Sequence, residues 1–159
     1  MIRNLMLNLF LAVALMALFG SFTLGVFLLG LVMGALLLTI YDLEAGKSIY
    51  LLDLIKLVRF AGYFLRILIK ANVQVAWEII TPGFGMSPAI IRYPVAGLTP
   101  AQITMLAICI TLTPGTIAAQ LNETSGVLYI HGMYMGDRAR AVAGIDELRD
   151  RILKEVFLV

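Results

Sequence analysis

The side chains through which this chain can do chemistry are few and widely spaced. His131 is the single histidine, and its ordinary pKa of about 6.5 lies near neutrality, which admits a pH-sensing role. On a strand facing water it reads more simply as structural, and with no Cys, Asp or Glu nearby at ligand spacing it predicts no metal site. Cys109 is the single cysteine, so neither an internal disulfide nor a thiol-rich metal site can be built. Inside an apolar helix it reads as a small filler. No nucleophile has a partnered base, no glycine-rich phosphate loop occurs, and no carboxylate pair stands out. The sequence therefore predicts no catalytic residue, no cofactor and no metal, and hence a protein that is not an enzyme.

The densest polar run is Thr111-Leu-Thr113-Pro114-Gly115-Thr116. Pro114 and Gly115 must end the helix before them and turn the chain into a strand, and the hydroxyls of Thr111, Thr113 and Thr116 can bond the carbonyls left unpaired at that end. The alternative is direct contact with a neighbouring subunit or a lipid headgroup. A phosphate cradle is disfavoured, because such sites use helix N-termini and this is a C-terminus.

The elements that position these residues begin in an unusual solvent. Between Arg3 and Asp42 there is no charged residue, and 61% of the chain is hydrophobic, above the roughly 45–50% of soluble domains. Mean hydropathy is +0.97. One crossing of a hydrocarbon core of about 30 Å takes about 20 residues, so residues 4–41 suffice for two short helices. Gly20-Ser21-Phe22-Thr23-Leu24-Gly25 supplies the turn between them. A cleaved secretory leader is the other reading of the first 20 residues, but Ala17-Leu18-Phe19 is a poor cleavage site and the apolar run continues beyond it.

Arg3 precedes the hairpin, while Lys47, Lys56, Arg59, Arg66 and Lys70 follow it, so the positive-inside bias predicts both termini in the cytoplasm. Gly30 and Gly34 form a small-xxx-small pair that lets a helix approach closely, either the first helix of the hairpin, through Ala12, Ala14 and Ala17, or one from another chain. Ion relays through membranes use Asp, Glu, Lys, Arg or His at depth, and residues 4–41 have none. The chain is therefore not expected to transport ions alone. Asp42 and Glu44, just past the second helix, read either as a solvated helix end or as the mouth of a pathway belonging to a partner.

Residues 48–80 are apolar enough to suggest a third crossing, but Lys56, Arg59, Arg66 and Lys70 fall within an arc of about 80° at 3.6 residues per turn. That pattern predicts an interfacial helix along the cytoplasmic leaflet, with burial against partner helices as the competing view. Gly62, Tyr63 and Trp77 suit a close-packed or headgroup-level segment.

Thr81-Pro82-Gly83-Phe84-Gly85 marks a boundary, and beyond it cations and anions balance. Ala89–Tyr93 reads as a strand kept at an edge by Pro88 and Pro94. Thr99-Pro100-Ala101-Gln102 opens a helix with a capping box, apolar all round and so expected to be buried. Residues 116–121 and 127–134 read as a hairpin around Asn122–Gly126. Asp137 caps a last helix with Val142, Ile145, Leu148, Ile152 and Val156 on one side. The module reads βαββα. Asn122-Glu-Thr124 matches a glycosylation acceptor by chance in a cytoplasmic segment.

Ile110-Thr-Leu-Thr-Pro-Gly-Thr116, followed by Leu128-Tyr-Ile-His131 and preceded by the apolar hairpin and basic stretch, resembles the E subunit of the Mrp (Mnh, Pha) multisubunit monovalent cation/proton antiporters. The likeness covers nearly the whole chain, with Gly132-Met-Tyr-Met-Gly136 longer and more apolar than the acidic stretch expected there. It implies an accessory subunit of a bacterial cytoplasmic-membrane assembly that exchanges Na⁺ or similar cations for protons. The large partner subunits, similar to proton-pumping subunits of respiratory complex I, would hold the transport residues.

The expected protein is thus a membrane protein of α+β class: a transmembrane hairpin over residues 1–45, an amphipathic interfacial helix and linker over 46–85, and a cytoplasmic βαββα domain over 86–159. Its expected partners are other antiporter subunits and the lipid bilayer, and the small charge of +2 argues against nucleic acid. A stand-alone membrane-tethered ligand sensor is the alternative, with a pocket in residues 86–159; a membrane-bound enzyme would need clustered titratable residues in a cleft.

Overall fold

The computed structural model describes residues 2–46, 49–83 and 85–158. Lys47, one of the cations that orient the hairpin, and Phe84, in the domain boundary, lie outside them. The chain forms two compact units, Met1–Val58 and Arg59–Val159.

In the first unit, α1 (Ile2–Leu18) and α2 (Leu24–Glu44) run antiparallel. Sequence rich in Leu, Met and Ala and poor in β-branched residues favours the helix, and a Schellman turn ends α1: Gly20 takes φ +61°, its N–H donates to Ala17 C=O, and Ser21 N–H donates to Met16 C=O. Thr23 then caps α2, its hydroxyl accepting from Val26 N–H at 3.4 Å. At 1.5 Å per residue α1 is about 26 Å long and α2 about 32 Å. Among the described residues α2 is the one helix long and apolar enough to cross a membrane; α1, with 17 residues, is shorter. Residues 50–58 of α3 (Tyr50–Ile80) complete this unit, with Tyr50 buried beside Ala35 and Leu38.

In the second unit the remainder of α3 is followed by β1 (Ala89–Pro94), α4 (Pro100–Leu112), β2 (Thr116–Asn122), β3 (Val127–Gly132) and α5 (Arg138–Arg151), which continues into a π-helical turn, Ile152–Phe157. The three strands are antiparallel in the order β1-β3-β2. β1 is an edge strand, as its flanking prolines require. The core lies on one sheet face, where Ile91, Tyr93, Leu128 and Ile130 meet Leu106 and Cys109 of α4 and Ile145 and Leu148 of α5. Burying one such aliphatic side chain stabilises by about 1.5–3 kcal/mol, which fixes which face of each helix turns inward. The capping box forms: Thr99 N–H donates to Gln102 Oε1 at 2.8 Å, and Gln102 N–H donates to Thr99 Oγ1 at 3.4 Å.

Three sequence expectations change here. α4 is not buried all round: Ile108 and Leu112 are exposed, because the sheet covers only one side of it. β3 stops at Gly132, and Met135 then turns into the core, held by Met135 N–H to Ser87 C=O at 3.0 Å and Met133 N–H to Gly115 C=O at 2.8 Å. Gly132 and Met135 of this apolar stretch are therefore buried, while Met133 and Tyr134 are half-buried and Gly136 is exposed. Finally, α5 loosens into i→i+5 winding after Arg151, which brings Phe157 as well as Val156 against the core beside Ile152.

Candidate functional site

The close approach of α1 and α2 is made by glycine. A Cβ on Gly30 would lie 2.7 Å from Ala12 Cα, and one on Gly34 would collide with the Asn8 side-chain amide. The helix set against this glycine pair is α1 of the same chain, through Ala12; Ala14 and Ala17 are exposed. The space at Gly34 admits Asn8, which is 3% exposed and donates from Nδ2 to Tyr50 Oη at 3.2 Å. One turn nearer the N-terminus, Asn4 Nδ2 donates to Asp42 Oδ2 at 2.8 Å. Asp42 is 1% exposed, whereas Glu44 is exposed, so the two carboxylates do not act as a pair and Asp42 is not a solvated helix end. Among the described residues, Asn8 Oδ1 and Thr39 Oγ1 are buried with no hydrogen-bond partner. Sequence reading missed this network because Asn4 and Asn8 look like isolated polar residues in an apolar run.

The threonine run makes a helix end and a turn. Pro114 disfavours the helical region for the residue before it, and Thr113 leaves the helix at ψ 118°. Thr113-Pro114-Gly115-Thr116 is a type II turn, with Gly115 at φ +85° and Thr116 N–H donating to Thr113 C=O at 3.1 Å. Thr113 Oγ1 donates to Cys109 C=O at 2.9 Å, and Thr116 Oγ1 donates to Ile110 C=O at 2.7 Å, so two carbonyls at the end of α4 are satisfied by side chains. Thr111 acts otherwise: its hydroxyl accepts from Ala118 N–H at 3.2 Å and ties α4 to β2. Burial pushes the Cys109 thiol up to about 11.

His131 is half-buried on β3, opposite Ile90 of β1 and Ile117 of β2, on the sheet face away from the core. Among the described residues no group of His, Cys, Asp or Glu is placed to hold a metal ion.

In α3, Lys56 pairs with the buried Asp53 at 3.4 Å, and Arg59, Arg66 and Lys70 are exposed. Phe60 and Phe64 stack and face the core, while Leu65, Ile69, Val73 and Trp77 are each more than half exposed. From Arg59 onward the helix therefore has a core-facing side, an exposed apolar side, and Arg66 and Lys70 between them. Tyr63 faces its own domain: Arg151 lies 3.9 Å over its ring, and burial followed by the nearby Glu147 charge raises its phenol above the ordinary range. Of the two aromatics, Tyr63 is packed on its own domain and Trp77 is exposed.

A second network was invisible in the sequence. Tyr93 Oη donates to Asp146 Oδ1 at 2.6 Å and accepts from Arg149 Nη1 at 2.9 Å, locking β1 to α5. Burial, then the Asp146 hydrogen bond, pushes the Tyr93 phenol well above its ordinary range. Partners 53 and 56 residues apart leave no local signal.

Among the described residues, one apolar helix of bilayer length joins a small antiparallel module in a chain of mixed helix-and-sheet class. The chain belongs to the family described as MNHE, Na⁺/H⁺ ion antiporter subunit, whose model matches residues 8–156. It is 31% identical to the Na⁺/H⁺ antiporter E subunit of Bacillus subtilis (strain 168) over 96% of this chain and 97% of that protein. A chain of the Mrp complex from Dietzia sp. DQ12-45-1b is 26% identical, with a TM-score of 0.47 over 62% of this chain and 94% of its own. A chain of the membrane-bound sulfane sulfur reductase, an archaeal respiratory membrane complex, is 22% identical with a TM-score of 0.50 over 94% of this chain and 98% of its own. That second likeness is one of fold.

Proposed function

We propose that this chain is a non-catalytic accessory subunit of a multisubunit Na⁺/H⁺ antiporter in the bacterial cytoplasmic membrane, bracing partner subunits that move the ions. The observation that carries this reading is the absence of any charged residue from position 4 to 41, in a chain belonging to an antiporter-subunit family. Residues 1–45 cross the bilayer twice with both termini cytoplasmic, 46–85 lie along the inner leaflet, and 86–159 hang beneath. The exposed apolar side of α3, with Arg66 and Lys70 beside it, supports the interfacial placement.

The packing of Gly30 and Gly34 on α1 leaves the outer surfaces of α2, including Leu29, Val32 and Leu36, for lipid or partner helices. Gly62 is a candidate for close approach by a partner, since it sits mid-helix on the exposed side of α3 with nothing within 4 Å of where a Cβ would be. Deleting the chain is expected to abolish assembly of the remaining subunits on native gels together with Na⁺-dependent antiport in membrane vesicles. A fully assembled, fully active antiporter in the deletion strain would refute the reading.

A further inference from the structure

The second unit contains a cleft of about 470 Å³ between α3, the end of α4 and α5, within the size range of ligand sites. Its lining is amphiphilic: Arg66, Lys70 and Gln74 are exposed, while Ile110, Ile130 and Ile145 are buried. Among the described residues neither Arg66 nor Lys70 has an ion-pair partner; the carboxylate in the lining, Glu147, is engaged by Arg151 Nε at 3.3 Å. Thr113 and Thr116 also line it, but their hydroxyl protons are committed to the end of α4, so the donors facing the cleft are the two cations and Gln74.

An independent observation concerns Gly144. It lies in the middle of α5, where glycine costs about 1 kcal/mol relative to alanine, and a Cβ there would meet nothing within 4 Å. Packing within this chain does not call for a glycine there, and Gly144 lies on the cleft wall.

We propose that this cleft binds one anionic phospholipid, with the phosphate on Arg66 and Lys70 and part of an acyl chain along the half-buried Ile67 and Ala71 beside them. Leu65 and Ile69 flank the same two cations in a shallow apolar groove on the exposed side of α3, which continues the amphiphilic surface outward. The proposal rests on the membrane-subunit reading only in that phospholipid is then at hand.

The test uses the full-length chain in maltoside detergent, with retained lipid counted by native mass spectrometry after adding dioleoyl phosphatidylglycerol or dioleoyl phosphatidylcholine. One phosphatidylglycerol is expected to be retained about tenfold or more over phosphatidylcholine, since both carry the phosphate but only in phosphatidylcholine does a choline cation offset its charge against Arg66 and Lys70. R66Q/K70Q is expected to lose that preference and G144L, which places a bulky side chain on the cleft wall where an added Cβ meets nothing within 4 Å, to lose retention. R138Q/R140Q, which removes exposed cations elsewhere, is expected to keep both. Equal binding of the two lipids, or R66Q/K70Q or G144L behaving as the parent, would overturn the proposal. Displacement of phosphatidylglycerol by excess sodium phosphate would replace it with a free-phosphate site. Because retention is read in detergent, its failure leaves the antiporter-subunit reading standing.

Discussion

Asn4 donates its side-chain amide to the buried carboxylate of Asp42 at 2.8 Å, joining the first turn of α1 to the last turn of α2. A buried group left without its partner costs about 1–3 kcal/mol. N4A is therefore expected to lower the unfolding temperature of the detergent-solubilised chain, and D42N, which keeps a carbonyl acceptor, to lower it less. Equal stability of N4A and the parent would show that the bond contributes nothing.

Glycines in the two environments are expected to respond oppositely. Gly34→Leu must expel Asn8 from its contact with Tyr50, and overpacking of this kind costs about 1–3 kcal/mol. Gly25→Ala, with nothing within 4 Å, should be neutral or stabilising by up to about 1 kcal/mol. Thermal unfolding of both variants in one detergent tests the contrast, and a Gly34→Leu protein as stable as Gly25→Ala would contradict the packing described.

The Tyr93 phenol has a folded pKa above its unfolded value of about 10. A group so raised contributes stability that is fully present below pH 10 and is lost as pH rises through the higher folded value. Spectrophotometric titration should leave Tyr93 protonated when exposed tyrosines ionise, and Y93F should remove one tyrosine from the late-titrating component, to which Tyr63 also belongs. Its loss of the bonds to Asp146 and Arg149 should also destabilise by about 1–3 kcal/mol.

Cys109 is buried and its thiol is raised to about 11, so little thiolate exists at pH 8. Maleimide is expected to label the chain slowly in the folded state and completely after denaturation. Rapid labelling of the folded chain would mean that α4 opens or is not packed as described.

Much of the fold was legible because its signals are local. Thr99 and Gln102 specify a capping box within four residues, Pro114-Gly115 specifies a type II turn, and Pro88 and Pro94 assign β1 to an edge. The charge-free run to Asp42 announced the apolar helices for the same reason. What stayed hidden depends on partners far apart in the chain: Asn4 with Asp42, Asn8 with Tyr50, Tyr93 with Asp146 and Arg149. Tyr63 read as either close-packed or headgroup-level, and only the fold, which sets it under Arg151, chooses the first. The exposed side of α4 was unreadable too, since uniform apolarity gives no hint that the sheet covers only half of it. Likewise the arc containing Arg66 and Lys70 was visible by period, but the cleft behind them is formed by α4 and α5, which contribute Thr113, Gly144 and Ile145 from far along the sequence.

The measurement that bears most directly on the role proposed here is reconstitution of the purified chain, by itself, into phosphatidylglycerol-containing liposomes enclosing a pH-sensitive dye. After a sodium pulse across an imposed pH gradient, the internal pH should follow that of protein-free vesicles, because residues 4–41 carry no charged group to relay a proton or hold a cation. Sodium-dependent proton movement by the chain alone would contradict the account.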